Sequence, residues 1–377
     1  VKVAGVLCPP PASVKHWPGE GYDDRDQHLV TTVNPLSMED WEKSFGRLYR
    51  SAIAAGAMSV MSAHIALPAW VRRNDPDAGV EAYRPASLSH LLNEELLRQH
   101  LGFNGVIVSD ATSMAGLGAW GPRSQTLPEV IANGSDVILF VNDAETDYGY
   151  IRDAVEDGRI TAGRLDEAVL RQLALKAAVG LNRPRQYDAS ALAQPSNRAF
   201  AEAAVRRMPT LVKDTQSLLP LSVEKHRRVL VVTPGIVNPW MPQPIPFALP
   251  SMLAEHGFEV SAYAPDMVVD RKSFDLVLYL FGDETLMTRG RIFADWHRLQ
   301  GGPVGAMQRF WNDVPTAMIS FGYPYMLYDA PRVPTYINAY CTTDTMQRAV
   351  VEALLGKHRW NTRSPVDPFA GDEQARY

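Results

Sequence analysis

Two clusters of polar residues near the start of the chain contain the side chains that acid–base and nucleophilic chemistry need. The first is KHWPGEGYDDRDQH, from Lys15 to His28, in which Asp26 and His28 are two residues apart. In an extended loop both side chains can share a face, so the carboxylate can accept the imidazole N–H and raise the basicity of the ring. Such a histidine can protonate a leaving oxygen and later deprotonate an incoming nucleophile. The composition equally allows a solvated acidic loop with a bystander histidine.

The second cluster is GFNGVIVSDATSM, from Gly102 to Met114. Its apolar run, Gly105–Ser109, predicts a buried strand that delivers Asp110 at its carboxyl end, where α/β enzymes place nucleophiles. A carboxylate buried there costs free energy unless hydrogen bonds or a ligand compensate. The alternative is that Asp110 is the N-cap of a helix, a position that aspartate commonly takes.

A third candidate, His64, ends a predicted strand over Ala57–His64. A lone histidine at a strand end is more often structural than catalytic. No two histidines or carboxylates stand at metal-ligand spacing, so we predict no metal site. The turn Thr233-Pro234-Gly235 lacks the glycine fingerprint of nucleotide-binding folds, and we predict no cofactor.

The first half of the chain alternates short apolar runs with helical patterns, which is typical of βα units and a parallel sheet. A strand ends at His16, Ser37 caps a helix that reaches Ala55, and Ser87 begins a helix that ends near Leu101. Further predictions are a helix over Leu127–Asn133, a strand over Asp136–Val141 and helices between Tyr148 and Leu181. Four such units cannot close an eight-stranded barrel, which needs about 250 residues. The region is therefore an open sheet, or a barrel whose first half is missing.

The second half predicts another α/β unit after a linker that is rich in proline and polar residues. The linker covers residues 183–197 and the second unit covers 198–377. We expect an open parallel sheet of about five strands with helices between them. The predicted strands are Arg228–Thr233, Glu259–Tyr263, Asp275–Phe281, Thr316–Phe321 and Thr335–Ala339, and the predicted helices lie near Pro250–His256, Gly305–Asn312 and Thr343–Leu355.

The composition is that of an ordinary globular protein. The 377 residues are 46% hydrophobic and carry a formal net charge of −5, so no basic field favours nucleic acid or an anionic membrane. No apolar run approaches the ~20 residues of a membrane span. Cys8 and Cys341 fit neither a metal motif nor a disulfide framework and are interpreted as packed thiols, which favours a reducing compartment such as the cytoplasm. Because the chain opens at Val1 without a methionine or a signal peptide, the compartment stays unknown.

These clusters, in this order, resemble glycoside hydrolase family 3. Its β-N-acetylglucosaminidase branch has a loop of pattern KH(F/I)PG(H/L)G-x4-D(S/T)H, from which the present stretch departs at Trp17, Glu20 and Gln27. The nucleophile motif of the family resembles SDDLSM, and residues 109–114 read SDATSM. The segment MSAHIALP around His64 is also similar to the family. The resemblance covers most of the chain and is weakest between residues 235 and 330.

The resemblance implies a (β/α)8 TIM-type barrel, of which residues 1–182 are only about the second half. An α/β sandwich domain with a mostly parallel sheet would follow in residues 198–377. Asp110 would be the nucleophile, and Asp26 and His28 would be the acid/base dyad.

Four further residues would surround the substrate. The resemblance implies that Lys15 and His16 hydrogen-bond sugar hydroxyls and that Met114 lines the same pocket. His64 would have an orienting role on the substrate side.

The function implied is a retaining glycoside hydrolase that releases terminal β-linked N-acetylglucosamine from small carbohydrates such as chito-oligosaccharides or muropeptides. Three alternatives stay open. A phosphorylase is possible because a neutral imidazole does not repel an anionic acceptor. A family-related β-glucosidase or β-xylosidase would take its acid/base from a carboxylate of the C-terminal domain. A non-catalytic sugar-binding fragment is the third, because half a barrel leaves strand edges unpaired; for the same reason we expect little activity from these 377 residues alone.

Overall fold

The chain divides into two compact units, and each is described by itself. The computed structural model describes residues 12–184, 194–285, 287 and 290–377, together with the backbone of Lys2–Val3 and Val6–Leu7. The units are Val1–Tyr187 and Asp188–Tyr377. Cys341 is half-buried with a free thiol, whereas Cys8 and residues 185–193 of the expected linker lie outside the described residues. None of the helices in the described part of the chain has the length and apolar content of a membrane span.

The first unit contains a sheet of four parallel strands in the order β3-β5-β7-β8. A short antiparallel pair, β1 with β2, and a short parallel pair, β4 with β6, complete its strands. The strands are β1 (Lys2–Val3), β2 (Val6–Leu7), β3 (Ser13–Trp17), β4 (Thr32–Val33), β5 (Ser59–Ser62), β6 (Ile65–Ala66), β7 (Val106–Ala111) and β8 (Val137–Leu139). The parallel sheet that the alternating pattern predicted is therefore present.

Helices follow most strands of this unit. They are α1 (Met38–Trp41), α2 (Arg47–Ala54), α3 (Pro68–Asn74), α4 (Ala115–Gly118), α5 (Arg123–Ala132), α6 (Ala144–Glu156) and α7 (Ala162–Ala178), with π-helical segments Glu42–Gly46 and Leu91–His100 and 3-10 turns Gly79–Tyr83 and Ala86–Leu88. Ser37 caps α1 as expected, because its side chain accepts the backbone N–H of Asp40.

One apolar core joins the sheet to the helices. Val60 of β5 and Ile107 of β7 pack with buried leucines of the segment Leu91–His100. At the end of β3, the Trp17 ring makes edge contacts with Trp41, at 5.8 Å between ring centroids, and with Tyr49, at 4.8 Å. Burial of such large side chains dominates the free energy of a core of this size, so the carboxyl end of β3 is firmly anchored.

A buried ion cluster fixes β7 against β8. Asp136, just before β8, has a fully buried side chain that accepts the backbone N–H of Ile107 at 2.9 Å. The guanidinium groups of Arg98, at 2.8 Å, and of Arg164 also donate to this carboxylate, and Arg171 lies 3.4 Å from it. A buried charge is tolerated when it is paired and hydrogen-bonded in this way, so the register of the strand that carries Asp110 is well defined.

The carboxyl ends of β3, β5 and β7 meet at one edge of the sheet. Trp17 pairs with Ser62, and Ser62 pairs with Ser109, in the parallel registers of these strands. Because neighbouring parallel strands end side by side, the loops that follow them are brought together. These are the loops that carry the candidate site residues.

The second unit is built around a sheet in the order β12-β10-β13-β14-β15-β9. The first five strands are parallel, β9 is antiparallel to β15, and the short β11 pairs with β13. The strands are β9 (Thr210–Asp214), β10 (Arg228–Val232), β11 (Ile236–Val237), β12 (Glu259–Ala262), β13 (Leu276–Asp283), β14 (Thr316–Ser320) and β15 (Thr335–Asn338). Its helices are α8 (Pro195–Arg206), α9 (Val223–His226), α10 (Leu249–Glu255), α11 (Trp296–Leu299), α12 (Pro303–Ala306) and α13 (Asp344–Leu354), with 3-10 turns Phe310–Asn312, Met326–Tyr328 and Glu373–Arg376.

Apolar cores cover both faces of this sheet, and all eight residues of β13 are buried. Continuous burial is the property of a parallel strand with helices on both sides. Both units are therefore of the α/β class, as the sequence predicted.

Three sequence-based boundaries are corrected. The helix expected from Ser87 begins at Leu91, because Ser87 lies in a 3-10 turn whose N–H donates to the Ala63 carbonyl. The helix expected over Gly305–Asn312 is absent, and only α12 and a 3-10 turn occupy that stretch. The expected linker ends early, because α8 begins at Pro195 and not after residue 197. The antiparallel strand β9 was not predicted at all.

Candidate active site

The Asp26–His28 pair lies in the loop between β3 and β4. The Nδ1 atom of His28 is 2.6 Å from Oδ1 of Asp26, which also accepts the backbone N–H of His28 at 2.8 Å. A carboxylate can only accept, so Nδ1 carries the proton and donates it. This leaves Nε2 as the ring nitrogen for proton exchange with a ligand, on a side chain that is 46% exposed.

The turn that carries this pair packs against the segment that follows β7. The carbonyl of His28 accepts the backbone N–H of Ala115 at 3.0 Å, and the Thr31 hydroxyl donates to the Gly116 carbonyl at 2.7 Å. A Cβ atom at position 116 would lie 2.5 Å from the Gln27 carbonyl oxygen, so only glycine permits this approach. These contacts hold the acid/base pair near the end of the strand that bears Asp110.

Asp110 is buried at the end of β7 with one carboxylate oxygen unused. The residue is 9% exposed, and its Oδ1 atom accepts the backbone N–H of Ala111 at 2.8 Å. Among the residues that the structure describes, the buried Oδ2 atom has no hydrogen-bond partner. Leaving a buried acceptor unpaired costs about 1–3 kcal/mol, and more for a charged group. A buried carboxylate oxygen without a partner is unusual in a purely structural residue, so it marks Asp110 as a functional candidate.

Asp110 is not a helix N-cap, the alternative that the sequence left open. The next helix, α4, begins at Ala115 and its N-cap is Met114. Met114 itself is buried, and its N–H donates to the Ala111 carbonyl at 3.0 Å, so it closes the turn after the strand.

His16 and Lys15 lie at the end of β3. The Nε2 atom of His16 is 3.9 Å from Oδ2 of Asp110, too far for a hydrogen bond but close enough for one ligand atom to contact both. Lys15 is exposed and, with His16 and Glu20, lines a cleft of about 450 Å³ that is walled by Phe45 and Tyr49. Both residues expected to bind the substrate therefore face open space.

His64 lies behind the site and is completely buried. Its side chain is 0% exposed, with Nε2 3.0 Å from the Ala111 carbonyl and Nδ1 2.9 Å from the Ser87 hydroxyl. Because a carbonyl only accepts, Nε2 carries the proton and Nδ1 accepts from the hydroxyl. Burial lowers the pKa of His64, which keeps the ring neutral. The expected place on the substrate side is therefore corrected to one that fixes the residue after Asp110.

Two residues of the site, Gln27 and Glu20, were missed by the sequence analysis. Gln27, between the members of the acid/base pair, is 1% exposed, and its Oε1 atom accepts the backbone N–H of His64 at 3.0 Å. Glu20 accepts hydrogen bonds from His16 and Gln27. Both residues were noted only as departures from a family pattern, and that was the one signal that the sequence contained.

Within the described residues, no group of three or more histidine, cysteine or acidic side chains is arranged to hold a metal ion. The site chemistry described so far is that of carboxylates and imidazoles alone.

Comparisons with known proteins identify the family of the chain. The family profile described as "Glycosyl hydrolase family 3 N terminal domain" matches residues 10–175. A "Beta-N-acetylglucosaminidase/beta-glucosidase" of Cellulomonas fimi is 40% identical over 387 residues, which cover 96% of this chain and 66% of the relative. The chain belongs to glycosyl hydrolase family 3.

Solved structures of this family resemble the chain along most of its length. A "Beta-glucoside phosphorylase BglX" is 33% identical with a TM-score of 0.86, over 99% of this chain and 68% of that protein. A family 3 β-N-acetylglucosaminidase from Paenibacillus sp. str. FPU-7 is 25% identical with a TM-score of 0.71, over 92% of this chain and 65% of that protein. The chain thus spans about two thirds of these family 3 relatives.

The buried histidine of this family 3 site makes folding stability depend on pH. The unfolded chain protonates His64 near its ordinary pKa of 6.5, but the folded chain does so only at lower pH. Stability is therefore lost as the pH falls below about 6.5, by up to about 1.4 kcal/mol per pH unit for one such group.

The variant His64→Gln tests this, because its amide can donate to Ala111 and accept from Ser87 without titrating. Urea denaturation between pH 7 and pH 5 should give a shallower fall in unfolding free energy for the variant than for the unmodified protein. Equal slopes for the two proteins would contradict the assignment of a neutral, buried His64.

Proposed function

We propose that this chain carries the catalytic residues of a retaining glycosidase that releases terminal β-linked N-acetylglucosamine. Asp110 is the nucleophile, and His28, held by Asp26, is the acid/base. The observation that carries the proposal is the buried, unpartnered Oδ2 atom of Asp110 at a strand end, beside the turn that presents the His28 ring. A nucleophile and a proton donor on neighbouring loops are the two groups that retention requires.

In the first step, Oδ2 of Asp110 attacks the anomeric carbon while the glycosidic C–O bond breaks. Protonated His28 gives the proton on Nε2 to the departing oxygen. Its Nδ1 keeps its own proton and its hydrogen bond to Asp26, whose negative charge stabilises the imidazolium. In the second step, neutral His28 takes a proton from water, and the resulting oxygen nucleophile attacks the anomeric carbon and releases the Asp110 carboxylate. Two inversions give retention.

The sugar is proposed from the loop and the relatives together. Lys15 and His16 line one cleft, and Nε2 of His16 lies 3.9 Å from Oδ2 of Asp110. The Lys15 ammonium can donate to sugar hydroxyls, and the Nε2 atom of His16 can hydrogen-bond to them. The Paenibacillus structure is titled a β-N-acetylglucosaminidase, while the Cellulomonas fimi relative is named for both N-acetylglucosaminide and glucoside. Comparison of kcat/KM for nitrophenyl β-N-acetylglucosaminide and β-glucoside distinguishes these two donors.

We further propose that β3, β5, β7 and β8 are half of a (β/α)8 barrel. The support is their parallel order and the position of every candidate residue at their carboxyl ends, which is where barrel enzymes bind substrates. The end strands β3 and β8 each have one sheet neighbour among the described residues, so the other half of such a barrel has no counterpart there.

A second candidate function is phosphorolysis of the same bond. It is favoured by the similarity to the structure titled "Beta-glucoside phosphorylase BglX", at 33% identity. The chemistry permits it, because a neutral imidazole at the acid/base position does not repel a phosphate as a carboxylate would. Asp110 and His28 would keep their roles, and phosphate would replace water in the second step.

The acid role of His28 predicts a dependence on the leaving group. In the full natural protein, His28→Ala should lower kcat/KM by about 10²–10⁴ for a β-linked disaccharide, whose alcohol leaves only after protonation. The loss should be far smaller for the dinitrophenyl glycoside of the same sugar, because dinitrophenolate leaves as a stable anion without being protonated.

The matched control is His90→Ala, which removes an exposed histidine of the same unit and should leave both rates unchanged. An equal loss on both substrates would argue that the substitution disturbs the fold, and no loss on the disaccharide would remove His28 from the mechanism.

The acceptor is identified by the product formed in the presence of inorganic phosphate. We expect free N-acetylglucosamine at a rate that phosphate does not change, as hydrolysis requires. Accumulation of the sugar 1-phosphate, measured by ³¹P NMR, would replace hydrolysis by phosphorolysis. Absence of both products would favour a sugar-binding protein without catalysis.

A further inference from the structure

Glu20 connects the two sides of the candidate active site. Its Oε2 atom is 2.6 Å from Nδ1 of His16, whose other nitrogen faces Asp110. Its Oε1 atom accepts a hydrogen bond from the amide of Gln27 at 3.2 Å. The Glu20 carboxylate thus contacts both His16, which lies beside Asp110, and Gln27, which lies between Asp26 and His28.

The chemistry of the groups decides which atom donates and which accepts in each of these hydrogen bonds. A carboxylate accepts only, so Nδ1 of His16 and the Gln27 amide nitrogen are the donors. The hydrogen bond from His16 is the main reason that the pKa of Glu20 lies below its ordinary value, which keeps the group ionised. The remaining amide oxygen of Gln27 accepts from His64, the residue that holds Ala111.

The backbone around Glu20 is shaped for this position. Gly19 and Gly21 have φ angles of +132° and +119°, a region that other residues rarely adopt. A Cβ atom at Gly19 would lie 2.5 Å from the Phe45 ring, so the chain packs directly on that ring there. Glu20 itself is 42% exposed at the cleft, and substitution of its side chain leaves no cavity in a core.

We propose that Glu20 is a positioning residue, which holds the His16 ring before Asp110 and, through Gln27, keeps the acid/base turn in place. It contacts neither the nucleophile nor the reacting bond, and it acts through these two partners. The inference rests on the proposed function of Asp110 and His28. It concerns a position at which this chain departs from the loop pattern of its family.

The substitution Glu20→Gln tests the proposal because an amide cannot replace both hydrogen bonds. If its oxygen accepts from His16, its nitrogen can still donate but faces the Gln27 amide nitrogen, which is also a donor. We expect kcat/KM for the β-linked disaccharide to fall about tenfold to a hundredfold, the loss of one hydrogen bond to a charged group. Gln27→Glu, which sets two carboxylates against each other, should lose at least as much.

The double variant Glu20→Gln/Gln27→Glu restores every hydrogen bond with the partners exchanged. The amide at position 20 then accepts from His16 and donates to position 27, where the carboxylate also accepts the His64 N–H. We expect this variant to recover at least about tenfold in kcat/KM over Gln27→Glu alone, a coupling expected of residues in contact. A general loss of packing would not be repaired by exchanging the two groups.

The matched control is Glu39→Gln, which makes the same chemical change at an exposed glutamate of α1. Thermal unfolding of each variant shows whether it folds. If Gln27→Glu does not fold, Glu20→Leu replaces it, because it removes both hydrogen bonds and must lose more activity than Glu20→Gln. Activity of Glu20→Gln equal to that of the control, or a double variant no better than the worse single variant, overturns the proposal.

Failure of the proposed function gives a different result. If Asp110→Ala were as active as the unmodified protein, the nucleophile assignment would fail, and the Glu20 proposal with it. If Asp110→Ala is inactive and only the Glu20 variants behave like the control, the function stands and the positioning role of Glu20 is wrong.

Discussion

The candidate site depends on one carboxylate, that of Asp110, which the fold buries while one of its oxygens has no hydrogen-bond partner among the described residues. Asp110 lies near the end of β7, a strand that the Asp136 ion cluster holds at Ile107, just before the irregularity between Val108 and Ala111. One of its oxygens accepts a backbone N–H and the other accepts nothing among the described residues. Folding tolerates this cost because the neighbouring strand and core contacts exceed it, and the unsatisfied oxygen is the property that a nucleophile needs.

The groups around Asp110 divide into those that hold the strand and those that face the substrate. His64 is neutral, buried and bound to the carbonyl of the next residue, so it supports the end of the strand and adds no positive charge. His16 and His28 are partly exposed, and each has its Nδ1 atom on a carboxylate and its Nε2 atom directed away from that partner. In both pairs the imidazole bonds its carboxylate through Nδ1, and the proposed contacts with the sugar and the leaving group require the two Nε2 atoms.

Much of this could be predicted from the sequence, for reasons that are local. Asp26 and His28 are two residues apart and Asp110 directly follows an apolar strand, so spacing and periodicity indicate a loop and a strand end. Their proposed roles came only from the resemblance to the family. The links through Glu20 and Gln27 could not be found in this way, because they join residues seven and 37 positions apart across a loop shaped by two glycines. The helix start at Ser87 failed for a similar reason: Ser87 bonds to Ala63 and His64, which lie between β5 and β6, and such tertiary contacts override the local capping signal.

In the proposed mechanism, Asp110 becomes covalently bonded to the sugar. A fluorosugar donor with a good leaving group forms the glycosyl-enzyme but slows its hydrolysis, so the adduct can be located by mass spectrometry of proteolytic peptides. We expect one added glycosyl mass on the peptide around Asp110, and no such mass in Asp110→Ala. A label on any other carboxylate, or full turnover of the donor by Asp110→Ala, would contradict it.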